Sequence, residues 1–258
     1  MNTQAFSLAG QRVLIVGVAN DRSLAYGCAR WMRAAGAELA ITYLNEKARA
    51  YVEPLAQELG ATIIAPLDVT QPDQLEALFN EIDARWGGLE AIVHSIAFAT
   101  KEDLHGPLLD CSSSGFGLAM DVSCHSLLRL SRLAAERMRS GGTITTMSFL
   151  GARRVIANYG LMGPVKAALE ATVRQLAVEL GPRRIRVNAI SPGPVKTRAA
   201  SGIKDFDQLW QAASHELPLG ESISPDDVGA TATWLSSPAA AHITGTIIPV
   251  DSGWETRR

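Results

Sequence analysis

The sequence predicts an α/β fold: one domain over 1–258, with helices on both faces of a doubly wound parallel sheet of about seven strands. Three observations predict it. Short apolar runs alternate with longer segments of helical period along the whole chain. The runs are mostly continuous Val, Ile, Leu and Ala, as strands buried on both faces require. The joints between them are short, and no Pro/Gly/Ser-rich linker, charge block or repeat divides the chain.

In chain order, the strand candidates are Arg12–Val18, Glu38–Tyr43, Thr62–Pro66, Ala91–Ser95, Thr143–Ser148, Arg186–Ile190 and Thr246–Val250. Helical period falls near Leu24–Ala35, Glu46–Leu59, Gln71–Trp86, Ser114–Arg139, Leu161–Leu180 and Pro225–Leu235. Gln71-Pro72-Asp73 and Ser224-Pro225-Asp226 read as helix starts, with Pro at the first position and acids in the first turn. This is a Rossmann-type arrangement. In such sheets ligands bind beyond the carboxyl ends of the strands, so the residues just after each strand are the functional candidates.

Composition narrows the class. The chain is 47% hydrophobic and 19% charged, with 24 basic and 26 acidic residues and a formal charge of −2, which does not suit a general nucleic-acid or membrane binder. Met1–Gln11 lacks the basic start and apolar core of a signal peptide, and no apolar run approaches the ~18 residues of a membrane span. Cys28, Cys111 and Cys124 are scattered and read as reduced thiols of a cytoplasmic protein. The five histidines show no metal-ligand spacing, so no metal is expected.

The first strand runs into Gly17-Val18-Ala19-Asn20-Asp21-Arg22-Ser23-Leu24-Ala25-Tyr26-Gly27 and then a helix. Glycine directly after a buried strand lets backbone amides approach a pyrophosphate, and the helix N-terminus favours negative charge. The spacing is not G-x-G-x-x-G, so a plain structural turn is the competing reading. Ser23 suits a helix cap, a phosphate ligand, or both. Strand 2 ends at Leu44-Asn45, neither an acid for a ribose diol nor a base for a 2′-phosphate. The missing basic clamp favours NADH, with NADPH as the alternative.

The segment from Ser148 to Lys166 leaves strand 5 and enters a long helix. Six residues separate Tyr159 from Lys166, about two helical turns, which lets both face one cleft. Taken singly, such a Tyr reads as packing and such a Lys as a solvated face; the pattern around them carries the functional reading.

Two motifs resemble the bacterial enoyl-acyl-carrier-protein reductases of the short-chain dehydrogenase superfamily. One is Gly-Val-Ala-x-x-x-Ser-Leu-Ala-Tyr-Gly at 17–27. The other is Tyr-x-x-Met-x-x-x-Lys, matched by Tyr159, Met162 and Lys166, with Ala168-Leu169-Glu170 following. Ordinary members have Tyr-x-x-x-Lys, and the position that would hold their lysine is Gly163 here. The resemblance runs from Leu8 to about Trp254 and implies hydride transfer from NADH to the β-carbon of a trans-2-enoyl thioester. Tyr159 would then stabilise the enolate oxygen, and Lys166 would hold the nicotinamide ribose. Tyr159 or water would supply the last proton.

The resemblance also carries the remaining site residues. Gly17, Ala19, Ser23 and Leu24 would line the cofactor, with Leu44 at the adenosine side and Asp68-Val69 at the adenine, where a helix-start turn is the other reading. Ser95, Ile96 and Ala97 belong to His94-Ser95-Ile96-Ala97-Phe98-Ala99, which is similar to the family's His-Ser-Ile-Gly-Phe-Ala; Ala97 adds a methyl, and His94 reads as packed. Gly193, Val195 and Thr197 match Pro-Gly-x-x-x-Thr, with Thr197 placed to bond a carboxamide. Phe149 joins Tyr159 and Lys166 in the catalytic set; it stands where many relatives have a second tyrosine and reads as a wall against the acyl chain. Ser123 stands where ordinary members have a catalytic asparagine. Ala99, Phe149, Tyr159, Met162, Ala199 and Ile203 would touch substrate, beneath a mobile lid at about 197–215.

Several relatives follow Lys-Asp-Phe with basic residues that suit an acidic carrier, whereas Asp207 and Gln208 stand here. The expected partner is an acyl-carrier-protein or CoA thioester, with no nucleic acid and no membrane, and the resemblance implies a homotetramer. One rival is a related short-chain reductase for a specialised enoyl or carbonyl substrate, prompted by Ala97, Leu44 and the less basic lid. The other is a catalytically silent cofactor binder, whose signature would be loss of Tyr159 or Lys166.

Overall fold

The computed structural model describes residues 3–257; Met1, Asn2 and Arg258, at the ends of the expected 1–258 span, lie outside the described residues. Seven strands are described: β1 (Arg12–Val16), β2 (Glu38–Tyr43), β3 (Ile63–Pro66), β4 (Ala91–His94), β5 (Gly142–Met147), β6 (Ile185–Pro192) and β7 (Ile247–Val250). They form one parallel sheet in the order β3-β2-β1-β4-β5-β6-β7. The winding reverses between β1 and β4, and a crevice opens there beyond the carboxyl ends. The helices are α1 (Leu24–Ala34), α2 (Glu46–Glu58), α3 (Pro72–Trp86), α4 (Lys101–His105), α5 (Ser113–Met120), α6 (Ser126–Arg137), α7 (Met162–Leu180), α8 (Phe206–Ser214) and α9 (Pro225–Ser236). None of them is long and apolar enough to cross a membrane.

The period-2 geometry of strands divides the core into two layers. On β1, Leu14 and Val16 pack with Leu78 and Phe79 of α3 and Leu127 and Leu130 of α6, while Val13 and Ile15 pack with α1, α2 and α9. A third apolar cluster lies beyond the strand ends and holds Phe149, Tyr159, Met162 and Trp254. Helices α1 and α9 meet backbone to backbone. A Cβ on Gly27 would lie 2.2 Å from the Pro225 carbonyl oxygen, and one on Gly229 would lie 2.4 Å from that of Gly27. Gly27 therefore serves helix packing.

Most strand ends agree with the sequence reading or shift from it by a single residue, and four differences are larger. Strand β1 stops at Val16 because Gly17 takes φ +107°, outside extended geometry. Strand β6 runs on to Pro192. The single helix expected over Ser114–Arg139 is α5, a π turn at Asp121–His125, and α6. There the Ser126 hydroxyl donates to the Val122 carbonyl at 2.6 Å, and a side chain inserted into the ladder in this way reshapes the turn. The loop expected as the lid contains a 3-10 turn at Ala200–Gly202 and helix α8. Like α4, these pieces are too short for apolar periodicity to announce them.

Candidate active site

Gly17 opens the site. A Cβ there would sit 2.0 Å from the Ser95 carbonyl oxygen, so the chain leaving β1 and the chain leaving β4 touch as only glycine allows. The Ser23 hydroxyl accepts from the amides of Ala19 (3.0 Å) and Asn20 (2.9 Å) and donates to the Asn20 carbonyl (2.6 Å). Ser23 stands at the N-cap position of α1, as one of its readings had it, but its hydroxyl makes no cap bond there. Elsewhere Asn45 caps α2 and Ser112 caps α5. The first α1 amides, at Leu24 and Ala25, have no intrahelical partner by the geometry of any helix start, and this end suits an anion. These features fit a dinucleotide pyrophosphate.

The adenosine end is sparse. Leu44 is exposed, and Asn45 is used as the α2 cap, accepting from Ala48 at 3.0 Å. Arg49 is ion-paired with Glu53 and Glu46. The Asp68 carboxylate accepts from the Thr70 amide and hydroxyl at 2.9 and 2.7 Å, closing the turn before α3, and Val69 is buried in the core.

Beyond β4, Ser95 and Ile96 are half-buried and Ala97 is exposed. Ser123 fixes this segment: its hydroxyl accepts from the Phe98 amide at 2.9 Å and donates to the Phe98 carbonyl at 3.1 Å. His94 is fully buried between Thr146 (Nδ1, 2.8 Å) and Ser126 (Nε2, 2.8 Å). Ser126 gives its own proton to Val122, so Nε2 must donate to Ser126 and Nδ1 must accept from Thr146. Burial, aided by the nearby Lys166 charge, pushes His94 down to about 3, which keeps it neutral.

The reacting segment follows β5. Asn158 (φ 60°) and Gly160 (φ 42°) take left-handed geometry on either side of Tyr159, which is buried. The Tyr159 ring lies 4.8 Å from Phe149, centroid to centroid, and Phe149 lies 6.2 Å from Trp254. A Cβ on Gly151 would fall 2.3 Å from the Tyr159 ring, and one on Gly163 would fall 3.2 Å from the Gly151 carbonyl oxygen. The glycine at 163 thus lies against the turn that seats Tyr159. Burial raises the Tyr159 phenol well above its ordinary value, so it stays protonated as a donor. Lys166 is 4% exposed and donates to the Met147 carbonyl at 2.6 Å. Burial pushes it down to about 8, against the opposing pull of Cys124 and Glu170.

Past β6, the Gly193 amide donates to the Val250 carbonyl at 2.9 Å, and Val195 is half-buried. Thr197 accepts from the Ala200 amide at 3.1 Å, which leaves its hydroxyl proton free to donate. A cleft of about 620 Å³ separates Asn20 and Arg22 of the first turn from Thr197, Arg198, Ser201 and Ile203 of the lid. Of the expected substrate contacts, Phe149, Tyr159 and Met162 share one apolar cluster with Ala99 and Ile203 packed against it; Ala199 is exposed and outside it. Trp254, Ser148, Arg153 and Glu170 were missed by sequence reasoning. Glu170 carried the available signal, an acid one turn from Lys166 in the buried, mostly apolar stripe of α7.

Comparison with known proteins places this geometry. Residues 17–255 match a family model described as Enoyl-(Acyl carrier protein) reductase. The enoyl-acyl-carrier-protein reductase (NADH) 1 of Rhizobium meliloti is 44% identical over 247 residues, covering 96% of this chain and 91% of that protein. The counterpart from Haemophilus influenzae is 41% identical, covering 96% and 95%. Among solved structures, the enoyl-acyl-carrier-protein reductase of Anaplasma phagocytophilum in complex with NAD superposes with a TM-score of 0.93 at 41% identity, covering 99% and 97%. That of Bacillus cereus, with NADP+ and an indole naphthyridinone, gives 0.94 at 41% identity, covering 96% and 98%.

Proposed function

The chain belongs to the enoyl-acyl-carrier-protein reductase family, and from that premise we propose that it reduces the carbon–carbon double bond of trans-2-enoyl thioesters with NADH in fatty acid biosynthesis. The observation that carries the reading is Tyr159. It is a buried, protonated phenol against Phe149, presented by a turn with left-handed residues on both sides, within an apolar cluster.

NADH, when bound, supplies the hydride for the substrate β-carbon. The α1 amides and the turn of Gly17, Ala19 and Ser23 would hold its pyrophosphate. Ser95–Ala97, Gly193, Val195 and Thr197 would line its nicotinamide half, and Leu44, Asp68 and Val69 its adenosine half. Lys166 would hold ribose hydroxyls and contribute positive charge. The Tyr159 hydroxyl would donate to the thioester oxygen as negative charge gathers there; one such donor is worth ~3–4 kcal/mol of barrier. Phe149, Met162, Ala99 and Ile203 would enclose the acyl chain and keep water out, with Ala199 joining them as the lid over about 197–215 closes.

Two observations favour this reaction over carbonyl reduction: Ser123 is committed to the Phe98 backbone, and a side chain at position 163 would crowd the Gly151 carbonyl. The carrier would be an acidic carrier protein or CoA, and the location cytoplasmic. A tetramer assembled through the flanking helices accords with the exposed apolar side chains Phe116, Leu118, Leu128 and Val178 on α5, α6 and α7. The test is loss of NADH absorbance with crotonyl thioesters of both carriers beside matched ketoacyl thioesters. Oxidation on the enoyl compounds alone establishes the reaction, and oxidation on the ketoacyl compounds alone refutes it.

A further inference from the structure

Glu170 is 4% exposed on α7, one helical turn beyond Lys166. A buried carboxylate costs several kcal/mol unless paired, so its partners matter. One oxygen accepts from the Ser148 hydroxyl at 2.7 Å, at the residue where β5 gives way to Phe149. The other lies 3.5 Å from Nε of Arg153, whose Nη1 bonds Glu255 at 2.7 Å. Glu255 belongs to the C-terminal turn, where Asp251 accepts its amide at 2.7 Å and where Trp254 backs Phe149. Charges therefore alternate from the reacting end to the chain terminus: Lys166, Glu170, Arg153, Glu255. On its other sides Lys166 faces neutral His94 of β4, the Met147 carbonyl of β5 and the Cys124 thiol of the π turn. Glu170 is the carboxylate among these neighbours.

We propose that Glu170 is a positioning residue of the reaction: through Ser148 it anchors the strand exit that sets Phe149, and its negative charge, one helical turn away and beyond ion-pair distance, attracts the Lys166 ammonium. The two duties are separable, because the first needs an acceptor atom and the second needs a charge. The inference rests on the roles given above to Tyr159 and Lys166.

Glu170→Gln keeps an acceptor for Ser148 and removes the charge. Ser148→Ala does the reverse. In the cofactor-free protein, the Lys166 ammonium is titrated by side-chain NMR, and NADH affinity is measured by fluorescence across pH. Glu170→Gln is expected to lower the Lys166 midpoint by about one pH unit and to weaken NADH binding most at and above pH ~8. Glu170→Asp, which retains the charge, should restore the midpoint. Ser148→Ala should leave the titration alone and raise the KM for a crotonyl thioester about threefold with kcat little changed. A folded Glu170→Gln protein with the parental Lys166 midpoint overturns the charge role. A parental KM in Ser148→Ala overturns the anchoring role, and it decides alone if Glu170→Gln does not fold. A parent that binds NADH but turns over no enoyl thioester would refute the proposed reaction, while the titration would still judge Glu170.

Discussion

Two regions of the site are held in different ways, the segment Ser148–Lys166 and the stretch from Lys196 to Ser214 that holds most of the proposed lid. In the first, Phe149, Leu150, Ile156, Tyr159, Leu161, Met162, Val165 and Lys166 are buried, and each polar group kept there has a protein partner or a place for a ligand. In the second, Ala213 alone is buried, with Ile203 and Leu209 half-buried against the same apolar cluster, and the polar contacts lie at the surface. Lys196 pairs with exposed Asp207 at 3.1 Å and lies 4.1 Å over Trp210, while His105 Nε2 of α4 donates to the Gly202 carbonyl at 2.8 Å. The difference teaches how the work is divided. Groups that must be aimed within a fraction of an ångström are fixed by packing, and the surface proposed to open and close has polar bonds worth little individually.

The largest effect should come from the packed side. Tyr159→Phe should lower kcat by about 100- to 1,000-fold while NADH affinity and melting temperature stay near parental. Steady-state kinetics beside a binding titration would show it, and full activity would break the comparison at its strongest point.

Lys166→Met should separate function from stability. Burial takes the lysine from 10.5 to about 8, a cost of about 3 kcal/mol that folding bears in full below pH 8 and that fades as pH rises towards 10.5. Removing the charge, less about 1 kcal/mol for the orphaned Met147 carbonyl, should stabilise the protein by ~2 kcal/mol at pH 7. NADH binding should weaken at the same time. Denaturant melts at pH 7 and pH 10 would test the sign, since the variant's advantage must shrink at the higher pH.

His94 gives a smaller, pH-dependent effect. Its folded value of about 3 lies below the unfolded 6.5, so stability is complete above 6.5 and declines as pH falls from 6.5 towards 3. The loss between pH 7 and pH 5 should be about 2 kcal/mol and should be absent in His94→Gln. Equal acid sensitivity of parent and variant would mean the ring is not the buried neutral group described above.

The lid should respond least. Asp207→Asn is expected to change stability by under ~0.5 kcal/mol and to act on the thioester KM rather than on kcat. A change of several kcal/mol would make the lid a packed element and erase the contrast.

How much of this was legible follows the same division. The strands were readable because continuous Val/Ile/Leu runs such as Val13–Val16 and Ala91–Val93 have few other fates in a chain of this composition. Tyr159 and Lys166 were readable as a pair, since one spacing on one helix start is a local property. Trp254 and Arg153 were not, because their meaning depends on a C-terminal turn packing behind a loop about a hundred residues earlier. The contact of His94 on β4 with Ser126 beside the π turn was equally hidden, since it joins residues far apart in the chain.

The sequence by itself determined the parallel α/β sheet, the glycine turn after the first strand and the Tyr-x-x-Met-x-x-x-Lys segment, because periodicity, chain geometry and helix spacing act over a few residues. That His94 is neutral and that Glu170 lies beside Ser148 and Arg153 came from the tertiary structure alone. Burial and long-range hydrogen bonds fix those properties, and neither exists until distant segments are packed together.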